Sequence, residues 1–451
     1  MSSSPEVFFD ASLPIMVKAI TERLGSEALE QGLIVRDSSG RLCFLSSRSS
    51  PSDEERANIE KTIADVLGAY ARTDGVIAFG DEPGVQRLLK DSAAFPMQQD
   101  SLNFRLLDRR IVGAAWVDAP QEGTAGTPRI VAASLKGGVG RSTALAVAAS
   151  DLSRRNKNIL VVDLDLEAPG IGGMLLDDER MPRFGTVDYL VENGLGGVPD
   201  RHLPDFVGTS ALTTPGGGRV DVVPALGRQA TEYPCNTLPK ISRAMIEDID
   251  SNGVSIPVSV QIADMIRRFT GRDTYDVILI DSRAGLSELA APAILGLGAT
   301  VLFFGTAQRQ TIQGYAALFA ALKLLAQRDR AAGARAEWRL LFKAVYAKSG
   351  LDESTSARYR DDLYELFADN LYDADDSQQA NPDAITFDID DENAPHWPLI
   401  IPFTQNFVDF DPVRAPSQLN AAFYEQAYRP FLNGIDSIIA GGSAPFGSER
   451  Q

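Results

Sequence analysis

The sequence predicts a doubly wound, mostly parallel α/β sheet preceded by a small mixed α/β N-terminal domain. Three observations lead there. From Arg129 onward, short and uniformly apolar runs alternate with stretches of helical periodicity, the pattern of a parallel sheet covered on both faces. A glycine-rich string sits directly between the first of these runs and the helix after it. Ahead of both lies DAPQEGTAGTP, at 118–128, whose glycines, prolines and threonines punctuate the chain as a linker does. Residues 1–118 are therefore read as an adaptor or effector domain, 119–128 as the linker, 129–439 as the main domain and 440–451 as a disordered tail.

In the first domain, 42–45 and 76–79 read as short strands. Between them, Ser52 followed by Glu55 forms a capping box ahead of the helical series Ile59, Ile63, Val66, Leu67 and Tyr70. Residues 111–117 look like a further strand. In the main domain the strands are placed at 130–134, 159–163, 220–223, 277–281, 300–304, 338–342 and 399–401. Helices are placed at 143–155, 258–269, 311–328 and 354–367.

Bulk properties narrow the function. At 451 residues with 44% hydrophobic and 23% charged residues, the chain has room for two or three domains with a sizeable core. A net charge of −18 argues against sequence-independent coating of nucleic acid, which needs a broad basic surface. With only His202 and His396, a multi-histidine metal site is not expected. Cys43 and Cys235 make no disulfide framework, and a reducing cytoplasm fits them best. The start, MSSSPEVFFD, lacks the basic and apolar parts of a secretory signal, and no apolar run is long enough to span a bilayer. Residues 369–392 carry nine acidic and no basic residues, which marks a solvated loop. Asp373, Asp375 and Ser377 imitate the opening of a calcium loop there, but its sixth-position glycine and twelfth-position glutamate are missing.

The chemistry concentrates in three segments. The first is Lys136-Gly137-Gly138-Val139-Gly140-Arg141-Ser142-Thr143. Small residues let backbone N–H groups curl around phosphate oxygens, and the helix N-terminus adds the positive end of its dipole. Arg141 is placed to reach β- and γ-phosphates, and the Ser142 hydroxyl to ligate Mg²⁺. The second is Val161-Val162-Asp163-Leu164-Asp165-Leu166-Glu167, a strand end carrying paired aspartates. The third is Val277-Ile278-Leu279-Ile280-Asp281-Ser282-Arg283-Ala284-Gly285, in which an apolar strand delivers a carboxylate suited to holding Mg²⁺ through water.

Together these segments resemble the deviant Walker A ATPases of the MinD/ParA superfamily, over about 300 residues from Arg129 to near Ile439. The resemblance implies Mg-ATP as the ligand and a dimer formed face to face on ATP binding. Lys136 would cross to the partner's nucleotide, and Asp165 would orient the attacking water. Asp163 would steady the loop or the metal's water shell, beside Ser142 and Asp281. Pro402 and Phe403, after Ile401, resemble the family's base-contacting loop. The family's asparagine on an earlier strand is missing, because the matching segment is read as Leu341-Phe342-Lys343-Ala344.

Several residues depart from the family pattern or stay open. Gln308, Arg309 and Gln310 read equally as ligand contacts or as helix-start polar residues. Arg141 replaces the usual lysine, Leu135 stands where glycine is common, and Arg283 replaces a proline. Arg283 reads as an exposed switch residue in preference to a charge stabiliser. The segment matches a KGGVGR-type variant branch; with arginine in place of lysine at 141, phosphate binding should survive and intrinsic hydrolysis is expected to be slow. The tail is not a basic amphipathic helix, so a MinD-type membrane anchor is not expected. The sequence thus predicts a dimeric ATP switch acting on a protein partner or on the N-terminal domain. Its alternative is an ATP-holding regulatory scaffold with little turnover, for example in a bacterial defence or positioning system. A tyrosine kinase would need a tyrosine-rich tail, and a nitrogenase-type reductase paired cluster cysteines; neither is present.

Overall fold

The computed structural model describes residues 7–123, 125–212, 216–250, 252–373 and 384–441. Asp375 and Ser377 of the calcium-like sequence, and residues 442–451 of the tail, lie outside the described residues. The chain divides into two compact units. One is Met1–Val117 with Leu324–Arg335, and the other is Asp118–Lys323 with Ala336–Gln451.

The first unit holds a mixed sheet of β1 (Leu33–Arg36), β2 (Leu42–Leu45), β3 (Ile77–Ala78), β4 (Phe95–Gln99) and β5 (Leu102–Asp108). Its order is β3-β2-β1-β5-β4. The β1–β2 turn is closed by Asp37, whose carboxylate accepts from the Ser39 and Arg41 N–H groups, each at 2.9 Å. Helices Phe9–Leu24 and Asp53–Leu67 cover one face, packing Met16, Ile20, Ile63 and Leu67 against Ile34, Phe44 and Phe104. The predicted capping box is present: Ser52 Oγ accepts from Glu55 N–H at 3.4 Å and the Glu55 carboxylate from Ser52 N–H at 3.4 Å.

The strand predicted at 111–117 is absent. Gly113 takes φ 81°, a 3₁₀ turn follows at Ala114–Val117, and Ile111 and Val112 face solvent at 80% and 84% exposure. Apolar composition alone could not make that run a strand without a ladder partner.

The second unit is built on β6 (Arg129–Ser134), β7 (Ile159–Asp163), β8 (Gly208–Thr209) and β9 (Val220–Val223). A small hairpin of β10 (Asp248–Ile249) and β11 (Ser255–Ile256) stands apart from the main sheet. The series closes with β12 (Val277–Ala284), β13 (Thr300–Gly305), β14 (Phe342–Ser349) and β15 (Leu399–Pro402). The eight-stranded order is β15-β14-β13-β6-β12-β7-β9-β8, parallel throughout except for β8 on β9.

Alternation along the strands buries both faces. Ile130, Val161, Leu279 and Phe304 share one core with helices Arg141–Arg154 and Ala421–Gly441. On the opposite face Phe303 stacks on Tyr315 and Phe319, and Tyr346 on Tyr359. The doubly wound parallel architecture expected from the sequence is therefore the one observed. Among the described residues no helix is long and apolar enough to cross a membrane.

One strand needs correction. Residues 337–341 form a 3₁₀ turn, and β14 begins where the predicted strand was to end. Lys343 lies buried inside it with its ammonium donating to the Ala394 carbonyl at 2.7 Å.

Candidate functional site

Three neighbouring strands bring the predicted segments together. In register, Asp281 of β12 stands beside Asp163 of β7 on one side and Ala132 of β6 on the other. The loop leaving β6 therefore emerges next to two carboxylate-bearing strand ends, where ligands of open α/β sheets gather.

The loop takes the conformation that its glycines permit. Gly138 and Gly140 have φ 74° and 94°, and Gly140 caps the helix Arg141–Arg154. No atom lies within 4 Å of where a Cβ would project at Gly137, Gly138 or Gly140, so the loop is open on its outer side. Ser134 Oγ donates to the Lys136 carbonyl at 2.8 Å, fixing the loop's first turn. Leu135 is accommodated by Gly314, where a Cβ would lie 2.6 Å from the leucine Cδ1. The side chain of Lys136 is exposed, and its ammonium donates to Gln310 Oε1. Of the polar group 308–310, helix Arg309–Ala331 thus spends Gln310 on the loop.

Deeper in, the contacts are charged and buried. Ser142 Oγ donates to Asp281 Oδ2, while Asp281 Oδ1 is buried with no hydrogen-bond partner. Burial pushes the Asp281 carboxyl up to about 6, against the opposing pull of Arg141 and the Ser142 hydroxyl. Asp163, fully buried, accepts from the N–H groups of Asp165, Gly170 and Gly172 at 3.0, 3.3 and 3.5 Å. Its carboxyl lies well above the usual range because of burial first and the neighbouring Asp281 second. Asp163 is thereby a clamp on the loop after β7, and its oxygens are directed to that loop.

Asp165 is held by two guanidinium groups. Arg141, 7% exposed, donates to the Ser282 carbonyl and, at 3.3 Å, to Asp165 Oδ2. Asp165 Oδ1 accepts from Ala168 N–H at 3.3 Å and from Arg283 Nη1 at 3.4 Å. Arg283 also pairs with Glu167 at 2.5 Å, and its Nε is buried without a partner. Burial raises the Asp165 carboxyl, with Arg141 and Arg283 pulling it back. Arg283 is 26% exposed and doubly paired, so it is not the exposed side chain that the sequence alone suggests. A substitution seen in one dimension carried no sign of the carboxylates that meet it.

A cleft of about 360 Å³ opens from the loop toward the end of the sheet. Gly138 to Thr143, Val139 among them, form one wall, and Pro402, Phe403, Met174 and Tyr428 line the rest, together with Lys348. Lys348 was not among the predicted residues. It lies at the carboxyl end of β14, with φ 54° at a register shift between Ala347 and Ser349. The expected matching segment, 341–344, lies at that strand's opposite end and does not line the cleft.

The residues suit a hard divalent cation. Ser142 and Asp281 offer adjacent oxygens, one of them an orphaned buried carboxylate oxygen. Among the described residues no group of three or more His, Cys, Asp or Glu could cage a metal alone. An ion that keeps its waters and shares phosphate ligands, as Mg²⁺ does, fits such a sparse donor set.

No family model and no curated protein sequence matches the chain. Solved structures similar to it include the cell division ATPase MinD of Pyrococcus furiosus, at 17% identity and TM-score 0.41, covering 69% of this chain and 100% of that one. MinD of Pyrococcus horikoshii with Mg-ADP is similar at 17% identity and TM-score 0.42, covering 71% and 99%. pNOB8 ParA bound to nonspecific DNA follows at 14% and 0.42, covering 70% and 98%. At these identities and TM-scores, none of them assigns an activity to this chain.

Proposed function

We propose that the second unit binds Mg-ATP in the loop 136–143 and works as a slow, nucleotide-controlled switch of the MinD/ParA type. The observation that carries this reading is the convergence of Ser142, the half-satisfied Asp281 and the buried Arg141 beneath an open glycine loop. That set matches the needs of a polyphosphate with its metal: backbone N–H groups and a helix N-terminus for the oxygens, a cation, and hard ligands.

In this reading Ser142 and Asp281 hold Mg²⁺, while Asp163 shapes the loop that presents Asp165. When bound, the ion neutralises phosphate charge and fixes the phosphates' orientation. Gly137 to Thr143 bind the phosphates, Pro402 and Phe403 flank the base, and Lys348 lines the same cleft. Asp165 orients the attacking water. Lys136, exposed and released from Gln310, reaches the nucleotide of a second protomer, so that ATP drives homodimerisation. The dimer then acts on an unidentified protein partner or on the N-terminal unit. The arginine pairs on Asp165 favour slow turnover, and their extreme is the second reading, a scaffold that holds ATP and scarcely hydrolyses it.

The test is equilibrium binding of ATP with Mg²⁺ and with EDTA, combined with light scattering and a single-turnover assay. Mg-dependent binding with a rise in mass supports the switch. Binding with no detectable turnover supports the scaffold, and no binding at millimolar ATP overturns both.

A further inference from the structure

The site carries four carboxylates, Asp163, Asp165, Glu167 and Asp281, against two internal guanidinium groups, Arg141 and Arg283. Arg141 belongs to the phosphate loop. A polyphosphate that draws it away also removes the closest cation from Asp165. Arg283 then remains as the positive group on that carboxylate, at 3.4 Å, and its other hand is held by Glu167 at the rim of the site. Its Nε is buried and unspent, a donor inside the site with nothing yet to meet. If Asp165 orients the attacking water as proposed above, a γ-phosphate brings its charge to the Asp165 side of the cradle, whereas a nucleoside diphosphate does not. Two anions in a dry site repel unless a cation lies between them.

We propose that Arg283 is a positioning residue that discriminates triphosphate from diphosphate by keeping Asp165 compatible with the γ-phosphate, and that Glu167 opposes it by competing for the guanidinium. This rests on the nucleotide-binding reading above and adds to it the element that reads the phosphate count. Arg283 lies at the end of β12, on the segment that also gives Asp281 and the Ser282 carbonyl. The strand end that carries Arg283 is thus also the one that holds Arg141. Glu167, 38% exposed, stands where an approaching protein surface could take over or release its arginine.

The experiment measures affinity for Mg-ATP and for Mg-ADP in the full chain and in Arg283→Gln, Arg283→Lys and Glu167→Gln. Arg283→Gln is expected to weaken Mg-ATP about tenfold, the scale of one charge-assisted contact, and to leave Mg-ADP within about twofold. Arg283→Lys should recover part of the loss, since it restores the charge without the fork. Glu167→Gln should move the other way, raising the preference for ATP by a fewfold. Opposite shifts from two members of one ion pair are what a purely structural bridge cannot produce. Equal weakening of both nucleotides in Arg283→Gln, an unchanged ratio, or the same direction in both variants overturns the proposal while leaving nucleotide binding intact. A wild-type chain that binds neither nucleotide overturns this proposal together with the reading beneath it.

Discussion

Replacing Arg141 separates what the loop does for the empty protein from what it does for nucleotide. The guanidinium is 7% exposed, donates to the Ser282 carbonyl and pairs with Asp165, itself 9% exposed. Removing one partner of a buried pair costs about 3–5 kcal/mol when the other charge is left alone. Here Asp165 keeps Arg283 and the Ala168 N–H, so Arg141→Ala should lower stability by less, about 2–3 kcal/mol. Urea unfolding without nucleotide reads that number. Against Mg-ATP the same change should cost about 1.5–3 kcal/mol, or about 10- to 150-fold in affinity. Arg141→Lys retains the charge but cannot span the Ser282 carbonyl and Asp165 together. It should keep binding and raise single-turnover hydrolysis, because a clamp that holds ground state and transition state alike does not raise kcat. Two results refute the reasoning. Arg141→Ala unfolding within about 0.5 kcal/mol of wild type shows that the buried pair holds nothing. Slower hydrolysis in Arg141→Lys shows that the guanidinium assists the chemistry.

Three further outcomes are expected. Lys136→Ala should keep much of its ATP affinity and lose ATP-dependent dimerisation, and light scattering showing wild-type dimers would remove the cross-interface role. Asp165→Ala should bind Mg-ATP without hydrolysing it, whereas Asp281→Ala should weaken Mg²⁺-dependent binding itself; unchanged turnover in the first variant contradicts the assignment. His396 is buried, with Nε2 donating to the Ile389 carbonyl at 3.1 Å and Nδ1 facing the Tyr372 hydroxyl at 2.8 Å, and burial lowers its pKa. The folded chain thus binds fewer protons at this group than the unfolded one. Its contribution is complete above about pH 6.5 and is lost as pH falls below that, by at most about 1.4 kcal/mol per pH unit. The difference in urea stability between wild type and His396→Gln, measured from pH 7.5 to 5, should show that slope; a flat difference contradicts it.

Local sequence determined a good deal. The apolar runs within β6, β7, β12 and β13 needed no tertiary knowledge, because strands buried on both faces are built mostly of apolar residues. The glycine string was equally legible, since only glycine tolerates φ 74° and 94° so close together. The Ser52 cap is a contact between residues three apart, and it is present as predicted. Tertiary structure decided the rest, because the deciding partners are far apart in sequence. Residues 111–117 are apolar and find no ladder. Lys343 is charged and lies inside a strand because the Ala394 carbonyl waits for it. Arg283, 118 positions from Asp165, passes for a surface residue until the two carboxylates beside it are seen. Periodicity and local turn chemistry are written residue by residue, whereas the charge balance of a buried site exists only once strands from distant parts of the chain lie side by side.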